Sequence, residues 1–376
     1  MENHVLETSF PRWLKGFALK SLGPMYDRQK GLFHFQVRKT CNGVVTAGIS
    51  RRYSAITLIG LAGEEESVGR EVLSGDAPEE VYERLLEEVT DEKNLGDAAL
   101  TLWAGVALRH EGVLRASERV RTILKTGGGN PTVELSWALV ALCKAGRPED
   151  SDIRDAVAKR IKEAYCRESD IFPHHAGNHR NGARSHVSCF ADLVYPVQAL
   201  SIYSRVTRDK QALEIAGRCA HRFCQLQGKA GQWWWHYDGR TGRVLEGYPV
   251  YAIHQDAMAP MALFDLEEAG GPAFRREIHR GLEWLRNSPE LRGGTLVDEQ
   301  AGNIWRKVAR DEPGKLSRYV QASAAKIHPE FRVPGLDSIF PPGKVDFEDR
   351  PYHIGWLLYA WTPERLNLWE SGKSAI

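Results

Sequence analysis

Hydrophobic residues recur in six segments of this chain with the pattern of helices that are buried on most of their circumference. The segments are Tyr53–Ala62, Asp97–Leu108, Val133–Lys144, Ser188–Tyr203, Asp256–Glu268 and Ile354–Trp361. They are rich in Ala, Leu, Ile and Trp, and a helix that is apolar all round is normally surrounded by other elements. The pattern therefore predicts six inner helices.

Between these segments lie others with apolar residues at three- and four-residue spacing and charges on the opposite face. They are Pro78–Val89, Leu114–Lys125, Asp152–Tyr165, Lys210–Leu226 and Phe274–Arg286. These amphipathic helices form the predicted outer layer. The alternation of the two kinds predicts an all-α fold, an (α/α)6 toroid of helical hairpins, as a single domain over residues 1–376. Alternating pieces at Phe33–Val37 and Val44–Thr46 predict a small β-hairpin near the N-terminus.

The predicted inner helices begin with polar residues that are able to bind or transform a ligand. These starts are Arg51-Arg52-Tyr53, Asp97, Glu134, Asp192, His254-Gln255-Asp256 and Tyr352-His353. If the inner helices run parallel, their N-terminal ends and partial positive dipoles meet at one mouth of the ring. Long insertions at Arg167–Val187, Gly228–Ile253 and Gly293–Arg350 precede the last three inner helices, so we expect them to surround the same mouth.

Asp256, His254 and Asp192 are candidate catalytic residues at these helix starts. Several carboxylates around one cavity are what glycoside cleavage requires, with one as proton donor and another as base or nucleophile. The structural alternative for each carboxylate is an N-cap or a buried hydrogen-bonding partner, since a helix start is where an ordinary cap belongs.

Arg51, Arg52 and Tyr53 offer guanidinium groups and a phenol beside the first inner helix. Guanidinium groups suit a carboxylate, sulfate or phosphate of the substrate, and a positioned tyrosine can shuttle protons in uronate lyases or epimerases. A solvated arginine pair with one packed aromatic is the alternative. Tyr352 and His353 hold the corresponding place at the sixth helix, where we expect substrate contact.

Aromatic side chains are densest in Gly231–Asp238, which contains Trp234, Trp235 and His236. Flat aromatic faces stack on sugar rings and equally stabilise carbocations, so these residues are predicted to contact substrate. A structural plug in the hairpin is the alternative. Residues 174–186 contain four histidines and two arginines. If this segment is a lid over the cavity, His179 and Arg184 are predicted to contact the substrate. The alternative is a solvated loop without a role in binding.

The composition is that of a globular protein and gives no indication of binding to nucleic acid. The chain is 42% apolar and 26% charged with a net charge of +1, which gives no general reason to expect nucleic acid. Neither a secretory signal nor an apolar run long enough for a transmembrane segment is present in the sequence, so we expect a cytoplasmic protein. The six cysteines form no CxxC pair and are expected to be reduced. The sequence sets no oligomeric state.

No cofactor and no metal ion is predicted. A Gly-rich nucleotide loop between a strand and a helix does not occur. His175 and His179 have an i,i+4 spacing, but Gly177 and the surrounding loop composition argue against a helical zinc site.

A short motif connects the chain to known toroids. The string Gln227-x3-Gly231-x-Trp233 resembles the QW repeat of squalene–hopene cyclases and the related terpenoid cyclase and protein prenyltransferase toroids, and Arg280–Leu285 followed by Gly293-Gly294 looks like a degraded second copy. Similar outer-helix endings occur in (α/α)6 carbohydrate-active enzymes. The resemblance therefore implies architecture more than chemistry.

The acid motif of the cyclases, Asp-x-Asp-Asp, has its nearest counterpart in Asp346-Phe347-Glu348-Asp349. Glu348 replaces the middle Asp that the family uses as acid, so the resemblance makes Glu348 a candidate proton donor. Protein prenyltransferases use a Cys/His/Asp zinc site, and no counterpart can be identified in the linear sequence.

These features leave functions of different classes open. The mixture of polar and aromatic groups favours a carbohydrate-active enzyme, of hydrolase, lyase or epimerase type, whose substrate is a small molecule, an oligosaccharide or an acidic polysaccharide. An isoprenoid-cyclising enzyme is the first alternative, and a non-catalytic toroid that binds a glycan or peptide is the second.

Overall fold

The computed structural model describes residues 2–177 and 184–373. Its helices, in chain order, are α1 (Glu2–Leu22), α2 (Arg51–Leu61), α3 (Glu66–Val72), α4 (Pro78–Leu86), α5 (Leu95–Ala107), α6 (Val113–Lys125), α7 (Thr132–Ala145), α8 (Ser151–Ala164), α9 (Ala191–Thr207), α10 (Lys210–Gln225), α11 (Ala259–Glu268), α12 (Arg275–Asn287), α13 (Leu316–Ile327), α14 (Leu336–Ile339), α15 (Pro351–Ala360) and α16 (Pro363–Glu370). A π-helical turn, His254–Met258, runs directly into α11.

Short strands lie mainly between the helices of the second half. They are β1 (Tyr26–Asp27), β2 (Leu32–Thr40), β3 (Gly43–Ile49), β4 (Val187–Cys189), β5 (His236–Asp238), β6 (Val244–Glu246), β7 (Val250–Tyr251), β8 (Val297–Asp298), β9 (Asn303–Ile304), β10 (Lys307–Arg310), β11 (Pro342–Asp346) and β12 (Glu348–Asp349).

The inner helices form a closed ring, which within the described ranges consists of six members. α2, α5, α7, α9, α11 and α15 each pack against the next, and α15 returns to α2. They coincide with the six apolar segments, so the predicted (α/α)6 toroid is confirmed. The seam between the first and last inner helices is close, because a Cβ atom added at Gly60 would lie 2.4 Å from the carbonyl oxygen of Gly355.

The outer layer follows the amphipathic segments. α4, α6, α8 and α10 pack against their inner neighbours, and α12 packs against the π-helical turn before α11. The last place is taken by α1 and α16, which contact each other, while α1 also contacts α15. Sequence analysis missed α1 because Pro11 interrupts it and its buried residues Leu14, Ala18 and Leu22 form only a narrow stripe.

The predicted β-hairpin is present and longer than its alternating pieces, with β2 and β3 paired from His34↔Ile49 to Thr40↔Gly43. The long insertions also form small antiparallel sheets, β4–β5–β6 and β11–β10–β7, while β12 joins the edge of β2. These pairings connect the insertions to one another and bring them to one end of the ring. Trp235 and Tyr251 of the second insertion and Arg306 of the third reach the mouth of the ring, whereas the first insertion is connected to it only through the pairing of β4 with β5.

The loop that resembles the QW repeat follows outer helix α10 and packs against outer helix α12. The Gln227 amide donates to the carbonyl oxygens of Gly231, at 2.6 Å, and Glu277, at 2.9 Å. Trp233 is fully buried, and a Cβ atom added at Gly281 would lie 2.4 Å from its ring. The residues of this motif therefore serve packing between hairpins.

No helix in the described part of the chain is both long enough and apolar enough to cross a lipid bilayer.

Candidate functional site

A cavity of about 260 Å³ opens where the inner helices begin. Its lining comprises Arg52, Tyr53, Ile56, Val133, Trp137, Ala191, Tyr195, Trp235, Tyr251, Ile253, His254, Met258, Arg306 and Tyr352. The inner helices contribute through pairs four residues apart, such as Val133 with Trp137 and Ala191 with Tyr195. Residues at this spacing lie on one helical face, so α2, α7 and α9 present their first turns to the cavity.

Arg52 and Arg306 bring guanidinium groups to the cavity wall from different parts of the chain. Arg52 is held by Asp97, with its Nε 2.5 Å from Asp97 Oδ1, and by Asn94. Arg306 donates through Nη1 to Glu348, and its buried Nε has no hydrogen-bond partner within the described residues. A buried donor without a partner is costly, so this Nε is an unfavourable feature of the protein interior behind the wall.

Aromatic rings form much of the remaining wall. Tyr53 and Tyr352 stack with their ring centroids 4.6 Å apart, while Trp235 meets Tyr251 edge to face at 5.0 Å. Tyr53 is also held by Arg350, whose Nη1 donates to the phenol oxygen at 2.8 Å. The fixed rings give a wall of flat, apolar faces with hydroxyl groups, which is suited to a sugar.

His254 lies in this wall as a neutral imidazole. It is 4% exposed and packs between Phe190, at 4.6 Å between ring centroids, and Tyr251, at 5.1 Å. Burial lowers the pKa of His254 to about 3, although contact with the backbone of Trp233 opposes the shift. The imidazole is therefore neutral at pH 7, and with a pKa this low it is a weak base.

The candidate carboxylates Asp256 and Asp192 are buried and paired. His353 Nε2 lies 2.8 Å from Asp256 Oδ1, so this pair connects the π-helical turn to α15. Burial alone would lower the pKa of His353, but Asp256 outweighs that effect and raises it. Asp192 accepts the backbone N–H of Cys189 at 2.8 Å and pairs with His174 at 3.1 Å. Neither Asp256, Asp192 nor His353 is among the lining residues.

Glu348 lies behind the wall and contacts Arg306 and Arg350 through separate oxygens. Its neighbour Asp349 is buried and accepts the backbone N–H of Ile304 at 3.1 Å. Burial raises the pKa of Asp349 to about 6. Glu348 therefore positions arginines of the wall.

The other predicted contacts lie outside the cavity. Arg51 donates to the carbonyl oxygens of Arg84 and Leu85 in α4, and the Trp234 indole donates to Leu226 at 3.1 Å. These bonds hold the hairpins together.

His236 and Arg184 support the wall from behind. His236 stacks on Trp235 with the ring centroids 4.2 Å apart, and its Nε2 lies 3.2 Å from Arg184. Burial lowers the pKa of His236 to about 3. Neither residue lines the cavity: His236 supports Trp235, and Arg184 contacts His236. His179 lies outside the described residues.

Sequence analysis placed Arg52, Tyr53, Trp235, His254 and Tyr352 among the site residues, and the structure brings these together. It missed Trp137, Tyr195 and Arg306. The signal for Trp137 and Tyr195 is their position about one turn after the predicted mouth residues Glu134 and Asp192, at i+3. Arg306 lies in an irregular insertion, where no periodicity reveals the direction of a side chain.

Comparison with solved structures gives likenesses over nearly the whole chain. A cellobiose 2-epimerase from Bacillus thermoamylovorans B4167 matches with a TM-score of 0.63 and 11% identity, covering 97% of this chain and 100% of that one. An unsaturated glucuronyl hydrolase from Bacillus sp. GL1, responsible for the degradation of glycosaminoglycan, matches with a TM-score of 0.60 and 16% identity, covering 95% and 96%.

An unsaturated glucuronyl hydrolase specific for heparin gives a TM-score of 0.59 at 13% identity, with 96% of each chain covered. No protein-family model and no curated protein sequence matches this chain. The likeness establishes that the chain has the (α/α)6 toroid fold of these structures.

Proposed function

We propose that this chain is a carbohydrate-active enzyme of lyase or epimerase type that acts on a sugar carrying a carboxylate. The observation that carries the proposal is the meeting of Arg52, Arg306 and the neutral His254 in one aromatic-walled cavity. Such a set can bind an anion and remove a proton beside it.

The charges of the lining favour an acidic sugar over a neutral one. Arg52 and Arg306 face the cavity, while no Asp or Glu is among the described lining residues. The guanidinium groups of Arg52 and Arg306 provide donors for carboxylate oxygens. The guanidinium groups therefore attract a uronate and orient it against the aromatic wall.

The same geometry favours proton abstraction. The proton on the carbon next to a carboxylate becomes more acidic when guanidinium groups neutralise the charge of that carboxylate. A bound carboxylate beside His254 favours the imidazolium and so raises the pKa of His254, which accepts that proton while the electron pair moves into the carboxylate. Expulsion of the neighbouring glycosidic oxygen then gives a lyase product, whereas return of a proton to the opposite face gives an epimer. Burial raises the pKa of Tyr352, so its phenol keeps a proton to donate.

Hydrolysis with paired carboxylates is less consistent with this cavity. That reaction needs an acid and a base or nucleophile flanking the scissile bond. Asp192 and Asp256 are fully buried and engaged with His174 and His353. The neighbours in the structural comparison include an epimerase and hydrolases of unsaturated glucuronides, so both acidic sugars and epimerisation occur on this fold.

A second, cationic cavity extends the proposal to oligosaccharides or acidic polysaccharides. It has a volume of about 280 Å³, and its lining has five basic residues against two acidic ones: Lys307, Arg310, Lys315, Arg318 and Lys344 against Glu312 and Asp346. Arg318 lies over the Trp235 ring at 5.1 Å, and Lys307 lies over Tyr251 at 5.4 Å. Trp235 and Tyr251 line the first cavity, so Arg318 and Lys307 connect the two cavities through these rings. One acidic chain can therefore contact both cavities.

The isoprenoid alternative uses the same aromatic wall to stabilise carbocations. Its candidate donor, Glu348, is engaged by Arg306 and Arg350, and a carboxylate between guanidinium groups is poorly suited to donate a proton.

We place the protein in the reducing cytoplasm, a proposal supported by its six free cysteines.

The test is to incubate the full chain in deuterium oxide with uronate-containing and neutral oligosaccharides. Mass spectrometry should show either an unsaturated uronate or deuterium at the carbon beside the carboxylate. His254→Ala should reduce the rate on the order of 100-fold, because a general base typically contributes that much. Arg306→Gln should reduce kcat/KM by a similar factor of about 100 through lost charge stabilisation.

Matched controls are His221→Ala and Arg70→Gln, which change exposed side chains away from the cavity. Both should retain activity. Turnover of neutral sugars alone, products formed only by addition of water, or cyclisation of a linear polyprenoid would contradict the proposal. Uronate binding without turnover would instead establish the non-catalytic alternative.

A further inference from the structure

His174, Cys189 and Asp192 form a compact group of potential metal ligands at the start of α9. One ligand atom of each residue lies within 4.8 Å of the others. The imidazole Nδ1 of His174 is 3.1 Å from Asp192 Oδ1. The fold thus brings together a nitrogen, a sulfur and an oxygen donor.

The spacing fits a tetrahedral zinc ion. Zinc binds imidazole nitrogen and carboxylate oxygen at about 2.0–2.2 Å and thiolate sulfur at about 2.3 Å, so adjacent ligand atoms lie about 3.3–3.6 Å apart. The separation of His174 from Asp192 is already close to this value. A shift of about 1 Å by Cys189 or His174 would bring the widest pair into range.

The backbone holds each residue before any ligand arrives. Cys189 ends β4, where it pairs with His236 in β5. Asp192 lies in the first turn of α9, is fully buried, and accepts the Cys189 backbone N–H through Oδ2. His174 is fixed through its carbonyl, which accepts the Thr132 N–H at 2.9 Å.

The arrangement of His174, Cys189 and Asp192 is less suited to nucleophilic catalysis by a thiol, the other chemistry that these residue types support. In a thiol nucleophile, an imidazole lies between the thiol and the carboxylate and removes the thiol proton. Here Asp192 contacts both the backbone of Cys189 and the ring of His174. A carboxylate in the middle provides no such activation, whereas all three donors can meet a cation.

We infer that His174, Cys189 and Asp192 bind a zinc ion with three protein ligands and an open fourth position. On binding, the Cys189 thiol releases its proton to solvent, and the lone pair of neutral His174 faces the metal. Two anionic ligands then balance the charge of Zn²⁺. A water molecule would complete the tetrahedral coordination at the fourth position. The ion would tie residues 172–174 and β4 to α9.

The experiment titrates cobalt(II) into the full-length chain after removal of metals with a chelator. A thiolate-to-cobalt charge-transfer band should appear and saturate stoichiometrically, and zinc should displace it. Cys189→Ser should abolish the band, while Cys166→Ser, which changes a partly exposed thiol elsewhere, should preserve it. Zinc retained after gel filtration gives an independent measure by elemental analysis.

His174→Ala keeps the test valid if Cys189→Ser fails to fold, because the His174 side chain is largely exposed. It should weaken zinc binding by about tenfold or more. No stoichiometric binding to the wild-type chain, or a band that persists in Cys189→Ser, overturns the inference. The result does not depend on sugar turnover, so it is independent of the proposed function.

Discussion

The immediate surroundings of the histidines in this protein shift their pKa values in opposite directions. Burial lowers the pKa of His254 and of His236 to about 3. The pKa of His174 is raised by its hydrogen bond to Asp192, and that of His353 is raised by Asp256 against the effect of burial. The side chain that lines the cavity, His254, is therefore neutral at pH 7. Residue type alone does not distinguish these roles.

The neutral state of His254 predicts a specific loss of stability in acid. Its folded pKa of about 3 lies below its unfolded value of 6.5, so the unfolded state binds the proton first as pH falls. The stability lost accumulates from pH 6.5 downward and amounts to about 2 kcal/mol at pH 5. Urea unfolding of the wild type at pH 7 and pH 5 measures this difference.

His254→Gln removes the titration and provides the comparison. The drop in free energy of unfolding between pH 7 and pH 5 should be smaller in this variant by about 2 kcal/mol. The difference between proteins isolates His254 from groups that act oppositely, such as Asp349, whose pKa is raised to about 6. Equal drops in both proteins would show that His254 is not buried as a neutral ring.

At the scale of the elements, the inner helices were predictable because their apolar surface is unusually complete. The roles of the polar residues at the starts of these helices were less predictable. The cap of α5 is Asn94, whose side chain accepts the N–H of Asp97, while Asp97 is free to hold Arg52. Asp256 lies in a π-helical turn and pairs with His353 from α15. Periodicity indicates a helix but not the distant residue that a polar side chain at its start will meet.

The loop that resembles the QW repeat gives a prediction at this scale. Gly231 has a φ of +100°, and a Cβ atom there would lie 2.0 Å from the carbonyl oxygen of Arg280. Gly231→Ala must therefore strain the backbone and separate the loop from α12. The free energy of unfolding, measured in urea, should fall by about 2 kcal/mol more than in a glycine variant that suffers only the backbone strain.

Gly270→Ala is that matched control. Gly270 also has a positive φ, +89°, but no atom lies within 4 Å of the position of its added Cβ. It should lose only about 1 kcal/mol. Similar losses in the two variants would mean that close contact between the loop and α12 contributes nothing.

At the scale of the whole molecule, the site depends on ring closure. The cavity combines Arg52 from α2, His254 from the turn before α11 and Tyr352 from α15, and it adds Arg306 from an insertion. Sequence patterns predicted the ring and five of its lining residues, since inner helix starts converge once the ring is assumed. They could not predict Arg306 or the group His174, Cys189 and Asp192, because those positions depend on pairings between distant loops.

The seam between α2 and α15 supplies the corresponding prediction. A Cβ atom added at Gly355 would lie 2.6 Å from the Ile56 carbonyl oxygen and 2.9 Å from the Thr57 Cα. These are backbone atoms of a helix, so they cannot move aside as a side chain could. Gly355→Ala should force the two helices apart and lower the free energy of unfolding by about 1–3 kcal/mol, the usual cost of overpacking. Because Ile56 and Tyr352 flank this seam and line the cavity, binding of an acidic oligosaccharide should weaken as well.

Gly217→Ala tests whether that effect comes from the seam or from the substitution itself. Gly217 lies within α10, and its added Cβ would come no closer than 3.7 Å to Pro272, an ordinary contact. Alanine is favoured over glycine inside a helix, so this variant should gain about 0.5–1 kcal/mol. Chemical denaturation of both variants should therefore give changes of opposite sign. If Gly355→Ala were also stabilised, the first and last inner helices would have room between them, and the close backbone contact that closes the ring would be refuted.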